Sequence, residues 1–421
     1  MARRPQALDA LGADARLHPG PQIEAALVTE VPSVLFVAGE YPPAQGGLGD
    51  YTRELGRALV SEGVACRVLT LAAPGASTEE VGVADEPPVS RAVRKWDWRA
   101  WRRVRDAAAK ADIVHIQYQT AAYGMHPVAN ALPWLLRREH IPVVSTYHDT
   151  RIPYLFPKAG KVRDWVTLAL ARSSDYTIAT NNEDAAVLRP AARRLAVIPI
   201  GSNIAPTATP ADGAAWRAQR GIGPDAPLLV YFGFVNRAKG ADILVDTLAR
   251  LHAAGSPARL LMLGGQVGAS DPTNQAFLAE TRAQADRLGV SDAMVWTDFL
   301  PEAEVSAALM AADIAVLPYR GGVSLQRGTL MAALAHGVPI LATRPVNPTP
   351  GPLPGLTDGV DAVLVPPEQP EALANAIVAL LGDPQRRARL GEGARALAAR
   401  FRWDNIARQH IEVYRAVLSM R

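Results

Sequence analysis

Three segments of this chain combine glycine with cationic side chains or exposed amides in a way that suits anion chemistry. The first is Gly39–Gly49, GEYPPAQGGLG. Gly46, Gly47 and Gly49 would let a phosphate approach the backbone closely, although a plain tight turn after Pro42 and Pro43 also fits. The second is Phe232–Gly240, FGFVNRAKG, which places Arg237 and Lys239 just beyond an apolar run. The third is Gly321–Leu330, GGVSLQRGTL, a flexible loop entering a helical pattern. There the amides of Gln326, Arg327 and Gly328 would face an anion with help from the helix dipole, and Arg327 adds a formal charge. An ordinary loop with an N-cap is the plainer reading. One imidazole, His148, follows the apolar stretch Pro142–Ser145. Asp149 beside it could orient the ring or cap the turn.

Positioning these groups requires strands that end in loops. Val34–Ala38, Arg67–Leu71, Ile113–Ile116, Val143–Ser145, Tyr176–Ala179 and Leu195–Ile198 are short apolar runs separated by helical patterns. A second series follows: Leu228–Phe232, Arg259–Leu263, Met294–Thr297, Ile314–Leu317, Ile340–Ala342 and Ala362–Val365. Apolar strands alternating with helices imply parallel sheets covered on both faces. The proline-bearing segment Gly201–Ala211 reads as a linker between the two series. The expected architecture is α/β: two Rossmann-like, doubly wound domains facing across a cleft at their strand C-terminal ends. The boundaries expected are 1–30 for a loosely ordered extension, 31–203 and 204–398 for the domains, and 399–421 for a last helix, centred on Trp403–Leu418.

With 421 residues, 49% of them hydrophobic and 20% charged, the chain has the composition of a two-domain globular protein. Its single cysteine, Cys66, excludes an internal disulfide and any multi-cysteine metal site, and a buried small hydrophobe is expected there. The N-terminal stretch lacks an apolar core of signal-peptide length, and no segment reaches the roughly 18 apolar residues of a membrane span. A cytoplasmic location is expected. Net charge is +3, which does not call for a nucleic-acid partner. The basic, tryptophan-rich segment 91–105 admits two readings. With Trp98, Trp101 and Arg105 on one helical face it could rest on an anionic membrane; alternatively it covers the sheet with its tryptophans inward.

In order along the chain, these segments resemble the family 4 retaining glycosyltransferases. Phe232–Gly240 resembles the family's glycine-arginine and lysine-glycine loop, Trp296–Pro301 with Ala311–Pro318 its nucleotide-side loop and next strand, and Ala333–Thr343 the segment after its donor helix. Gly46–Gly49 and Thr146–Asp149 match the diphosphate-facing and histidine loops. The resemblance spans about residues 31–421 and implies a GT-B fold whose C-terminal helix crosses back to the first domain. It implies a nucleotide-diphosphate sugar as co-substrate, no metal and no other cofactor, and a glycan, lipid-linked or small-molecule acceptor. His148, Lys239 and Arg327 are then the expected catalytic groups, with Lys239 on the diphosphate. Gly46, Gly47, Gly49, Arg237, Gln326, Arg327 and Gly328 would join Lys239 there. His148, Phe299, Leu300 and Ser324 would border the donor sugar or nucleotide.

The chain departs from the family at its donor loop. The family's two glutamates, separated by seven residues, fall on Ser324 and Ala332, and no Asp or Glu occurs between Asp313 and Asp358. The family's loop arginine is Phe234, and Arg237 is the nearby substitute. An active transferase, a sugar-nucleotide epimerase or phosphorylase on the same scaffold, and a non-catalytic binding subunit all stay open at this point.

Overall fold

The computed structural model describes residues 32–44, 46–73, 78, 85–150, 160–264 and 272–420. The expected loose extension, residues 1–30, lies outside them. Seven parallel strands build the first sheet: β1 (Ser33–Ala38), β2 (Ala65–Leu71), β3 (Val89–Val93), β4 (Ile113–Tyr118), β5 (Val143–Tyr147), β6 (Tyr176–Ala179) and β7 (Leu195–Val197), in the order β3-β2-β1-β4-β5-β6-β7. Six more build the second: β8 (Leu228–Phe232), β9 (Arg259–Leu263), β10 (Met294–Trp296), β11 (Ile314–Leu317), β12 (Ile340–Thr343) and β13 (Val363–Val365), in the order β10-β9-β8-β11-β12-β13. Both strand orders reverse direction once, beside β1 and beside β8. Such reversal points open a crevice at the strand C-terminal ends.

One strand escapes the periodicity. β3 is an edge strand paired only with β2, and only Val89 and Val93 of its five residues are buried. A strand that buries so little shows no continuous apolar run. Its presence changes the reading of 91–105, because the following helix spans only Ala100–Ala108. Trp98 therefore precedes the helix and shares no helical face with Trp101 and Arg105. Trp96 is buried and donates from Nε1 to the Gly39 carbonyl at 3.1 Å. Trp101 packs on the core, and Trp98 alone stands out, 57% exposed. The expected linker is also shorter, since the helix Pro210–Gln219 starts inside it on a Thr209–Asp212 capping box.

The helix Trp403–Leu418 buries Ile406, Ala407, His410, Ile411, Tyr414 and Val417, a stripe at helical spacing. That stripe enters the core of the first sheet with Val34, Phe36, Tyr51, Leu55 and Ile113, so the chain crosses back to the half it left. Trp403 pins the crossing by donating from Nε1 to the Ser202 carbonyl at 2.7 Å. Gly201 is required beneath it, because a Cβ there would sit 2.7 Å from the indole. Cys66 is buried, as expected, and its thiol is pushed up to about 12 by burial. No helix among the described residues is long and apolar enough to cross a membrane.

Candidate active site

The loop after β8 is built to present Lys239. Asn236 Oδ1 accepts from the Lys239 amide at 3.0 Å, which closes the turn Arg237–Lys239. Gly240, at φ +72°, then starts the helix Ala241–Ala253, and a Cβ on it would overlap the Pro318 carbonyl oxygen. Gly233, at φ +111°, leaves room for the ammonium: a Cβ there would lie 2.9 Å from Lys239 Nζ and 2.8 Å from Thr329 Cγ2. Lys239 thus reaches the start of the helix Gly328–His336.

Arg327 is the N-cap of that helix, and no side chain caps it. Its guanidinium stands 5.6 Å from the Tyr319 ring centroid, and its buried Nε has no partner. Tyr319 is held beneath by a 2.6 Å hydrogen bond with Thr329. Neither Lys239 nor Arg327 is ion-paired among the described residues. Burial, and then repulsion from Arg327, push the Lys239 ammonium down to about 8. Two like charges crowded beside helix-start amides that bond no backbone carbonyl among the described residues form a site that a bound anion would stabilise.

A pH dependence follows. Lys239 loses its proton near pH 8, against an ordinary value of 10.5. Anion affinity should therefore fall above about pH 8. Between about 8 and 10.5 the unfolded chain binds more protons at this residue than the folded one does, so folding stability contributed by Lys239 rises with pH. Titrations of nucleotide affinity and of Tm over pH 7–10.5 check both signs against Lys239→Met, in which both contributions vanish.

The two halves meet over a cavity of about 240 Å³. Gly47, Tyr51, His148, Asp149 and Thr180 line it from the first half, and Gln326, Arg327 and Gly328 from the second. His148 is oriented by Gln117, whose Oε1 lies 2.8 Å from Nε2. Burial first, and then His410, push the His148 imidazole down to about 3, so the ring is neutral. Arg53 of the first half also bridges to Glu302 of the second at 2.5 Å.

Several expected site residues stand elsewhere. The Glu40 side chain lies at the start of the helix Gly47–Ser61, where burial raises its carboxyl above the usual range although the amides of Gly49 and Leu48 pull it the other way. Gly46 leaves room for it, since a Cβ there would overlap the Glu40 carboxylate, and Gly49 packs on Tyr41. Of the three glycines only Gly47 faces the cavity. Arg237, the nearby cation for the missing loop arginine, is exposed, pairs with Glu280 at 2.8 Å and lies over Phe277. The Arg327 amide bonds to the Ser324 carbonyl at 3.2 Å, which moves the open donors to the first turn from Gly328 onward. Ser324 lines a second cavity of about 710 Å³, with Asn181, Leu325, Arg344 and Leu353. Ala332, where the second glutamate would stand, is fully buried. Phe299, 66% exposed, ends the loop after β10, and Leu300 packs on the core. Missed altogether were Asn236, Tyr51 and Gln117; a polar residue inside an apolar strand is the signal that could have found Gln117.

Two parallel, doubly wound sheets with a cleft between them and a terminal helix that crosses back make up the GT-B glycosyltransferase fold. Residues 45–205 match the family model Glycosyltransferase Family 4, and residues 226–383 match Glycosyl transferases group 1. The chain belongs to the family 4, group 1 glycosyltransferases, and it is a glycosyltransferase. It is similar to the D-inositol 3-phosphate glycosyltransferase of Xylanimonas cellulosilytica, with 29% identity over 407 residues covering 88% of this chain and 91% of that protein. The enzyme of the same name from Corynebacterium urealyticum is 31% identical over 54% of this chain and 52% of its own length. Among solved structures, sucrose-phosphate synthase of Thermosynechococcus elongatus superposes with a TM-score of 0.70 at 23% identity, covering 92% of this chain and 100% of that one. Anabaena HepE in complex with UDP and glucose does so at 0.70 and 19% identity, covering 91% and 100%.

Proposed function

We propose that the chain transfers a sugar with retention, and without a metal, from a nucleoside-diphosphate sugar bound in the second domain. The observation that carries this reading is the pair Lys239 and Arg327: two cations with no ion pair among the described residues, beside the open amides of the helix Gly328–His336. As the bond from the anomeric carbon to the β-phosphate oxygen breaks, charge grows on the diphosphate. Preorganised cations and helix-start amides stabilise that charge where a metal would otherwise serve. Gly47 and His148 face this point from the other half, with neutral His148 on the sugar. The Phe299 ring is a platform for the base, and ribose is held without the carboxylate that Ala332 replaces. Support for uridine as the nucleoside is the UDP complex of HepE. Support for a small phosphorylated polyol as acceptor, ahead of glycan or lipid-linked ones, is the name the relatives carry.

Thermal-shift titration with UDP, GDP, ADP and dTDP tests the site, because a ligand of the native state raises Tm. UDP should raise Tm and uridine should not. No shift with any of the diphosphates would overturn the reading.

A further inference from the structure

A row of buried polar groups runs from the terminal helix to the cavity, and the anion site makes no use of it. His115 and Gln117 stand in β4 and Thr146 in β5, all fully buried in the sheet. Tyr414, on the helix Trp403–Leu418, places its hydroxyl 2.7 Å from His115 Nδ1. His115 Nε2 lies 2.7 Å from Thr146 Oγ1 and 3.3 Å from Gln117 Nε2. The other end of the same amide reaches His148 Nε2 at 2.8 Å. Alongside runs a second line. His410 Nδ1 is committed to the Ile406 carbonyl at 2.8 Å, so its Nε2 faces the Tyr51 hydroxyl at 3.4 Å as an acceptor. The Tyr51 ring stands edge-on to His148 at 4.5 Å and 74°.

An amide offers N–H at one end and C=O at the other. Gln117 therefore imposes opposite roles on the two imidazole nitrogens it bridges. In the orientation found, His148 Nε2 donates to Gln117, His115 Nε2 accepts from it, and His115 Nδ1 donates to Tyr414. A neutral imidazole protonated at Nε2 carries its lone pair on Nδ1. His148 Nδ1 has no protein partner among the described residues, and the ring lines the cavity. Burial keeps the row uncharged, with His115 and His410 both lowered as His148 is. Apolar residues would fill these places more cheaply, which marks the row as one that specifies geometry.

We propose that Gln117, His115 and Tyr414 are positioning residues that hold His148 in its Nε2–H tautomer, so that Nδ1 accepts a hydrogen bond from a hydroxyl of the transferred sugar. This rests on the reading of His148 as the sugar-facing group. The terminal helix gives no side chain to the cavity, yet through Tyr414 it sets the hydrogen-bond polarity there.

Nitrogen-15 NMR of the full chain, with His148 assigned through His148→Gln, reads the tautomer without any nucleotide. The wild-type ring should be the single Nε2–H form. Gln117→Leu and Tyr414→Phe should mix the tautomers and lower kcat about ten-fold, a barrier change of 1.4 kcal/mol, while the donor KM stays within about two-fold. Tyr414→Phe keeps the ring and serves if Gln117→Leu does not fold. An Nδ1–H ring in the wild type would overturn the proposal, as would either folded variant whose tautomer stays fixed, whatever its kcat. The donor reading fails separately: an Nε2–H ring together with unimpaired UDP binding by Lys239→Ala would sink that reading alone.

Discussion

Replacing Lys239 by alanine should lower kcat with the sugar donor by roughly a hundred- to a thousand-fold, the usual cost of removing one preorganised group that stabilises transition-state charge. The loss should fall more on kcat than on KM, because the diphosphate gains most of its charge as the anomeric bond breaks. Tm should not fall with it. Lys239 is held half-buried beside Arg327, with its ammonium pushed down to about 8, so at neutral pH it is a group the fold tolerates rather than one that stabilises it. Steady-state kinetics and thermal melts on one preparation separate the two effects. Arg327→Ala should act in the same direction, and the double variant should lose less than the product of the singles, since both cations serve one anion. Full activity in Lys239→Ala would remove it from the reaction.

Gly240→Ala should cost both stability and activity. The residue sits at φ +72° and ψ 36°, and an alanine Cβ would run into the Pro318 carbonyl, a backbone atom with no rotamer to move away. A loss of about 1–3 kcal/mol is expected from the strained backbone alone. Relief must come from moving the turn Arg237–Lys239, which carries the ammonium away from Arg327 and raises the donor KM. Gly328→Ala is the comparison. That glycine has ordinary φ and open space where a Cβ would go, so its Tm should not fall. If Gly240→Ala melts and binds like the parent chain, the turn is not what positions Lys239.

Sheets and helix spacing were legible in the chain because each rests on local periodicity; the return of the last helix was implied by the family resemblance alone. Lys239 was legible from its place just beyond β8, while the Asn236 side chain that closes its turn was not, although the two lie within five residues. What stayed hidden depends on partners distant in sequence or on competition for one group. Arg237 looked like a ligand cation until Glu280, 43 positions away, was brought beside it. Gly46 looked like a phosphate glycine, but Glu40, six residues earlier, packs its side chain against it. The Gln117 amide bridges His115, two positions back on its own strand, to His148 just beyond β5, 31 positions away, and no spacing rule brings the second of these to it. The missing glutamates were plain from the letters alone, while the burial of Ala332 required the packed helix.

The crossing helix also sets an order of events during synthesis. Tyr51 and His410 are 359 positions apart, and His115 and Tyr414 are 299. The first sheet emerges from the ribosome long before Ile406, Ile411 and Tyr414, which complete its core. Until those residues arrive, Phe36, Leu55 and Ile113 have no final partner on that face. At about 5–20 residues per second the wait lasts tens of seconds. The domain made first is therefore finished last, and the nascent chain must keep an unsealed apolar face from its neighbours while the second domain is still being made.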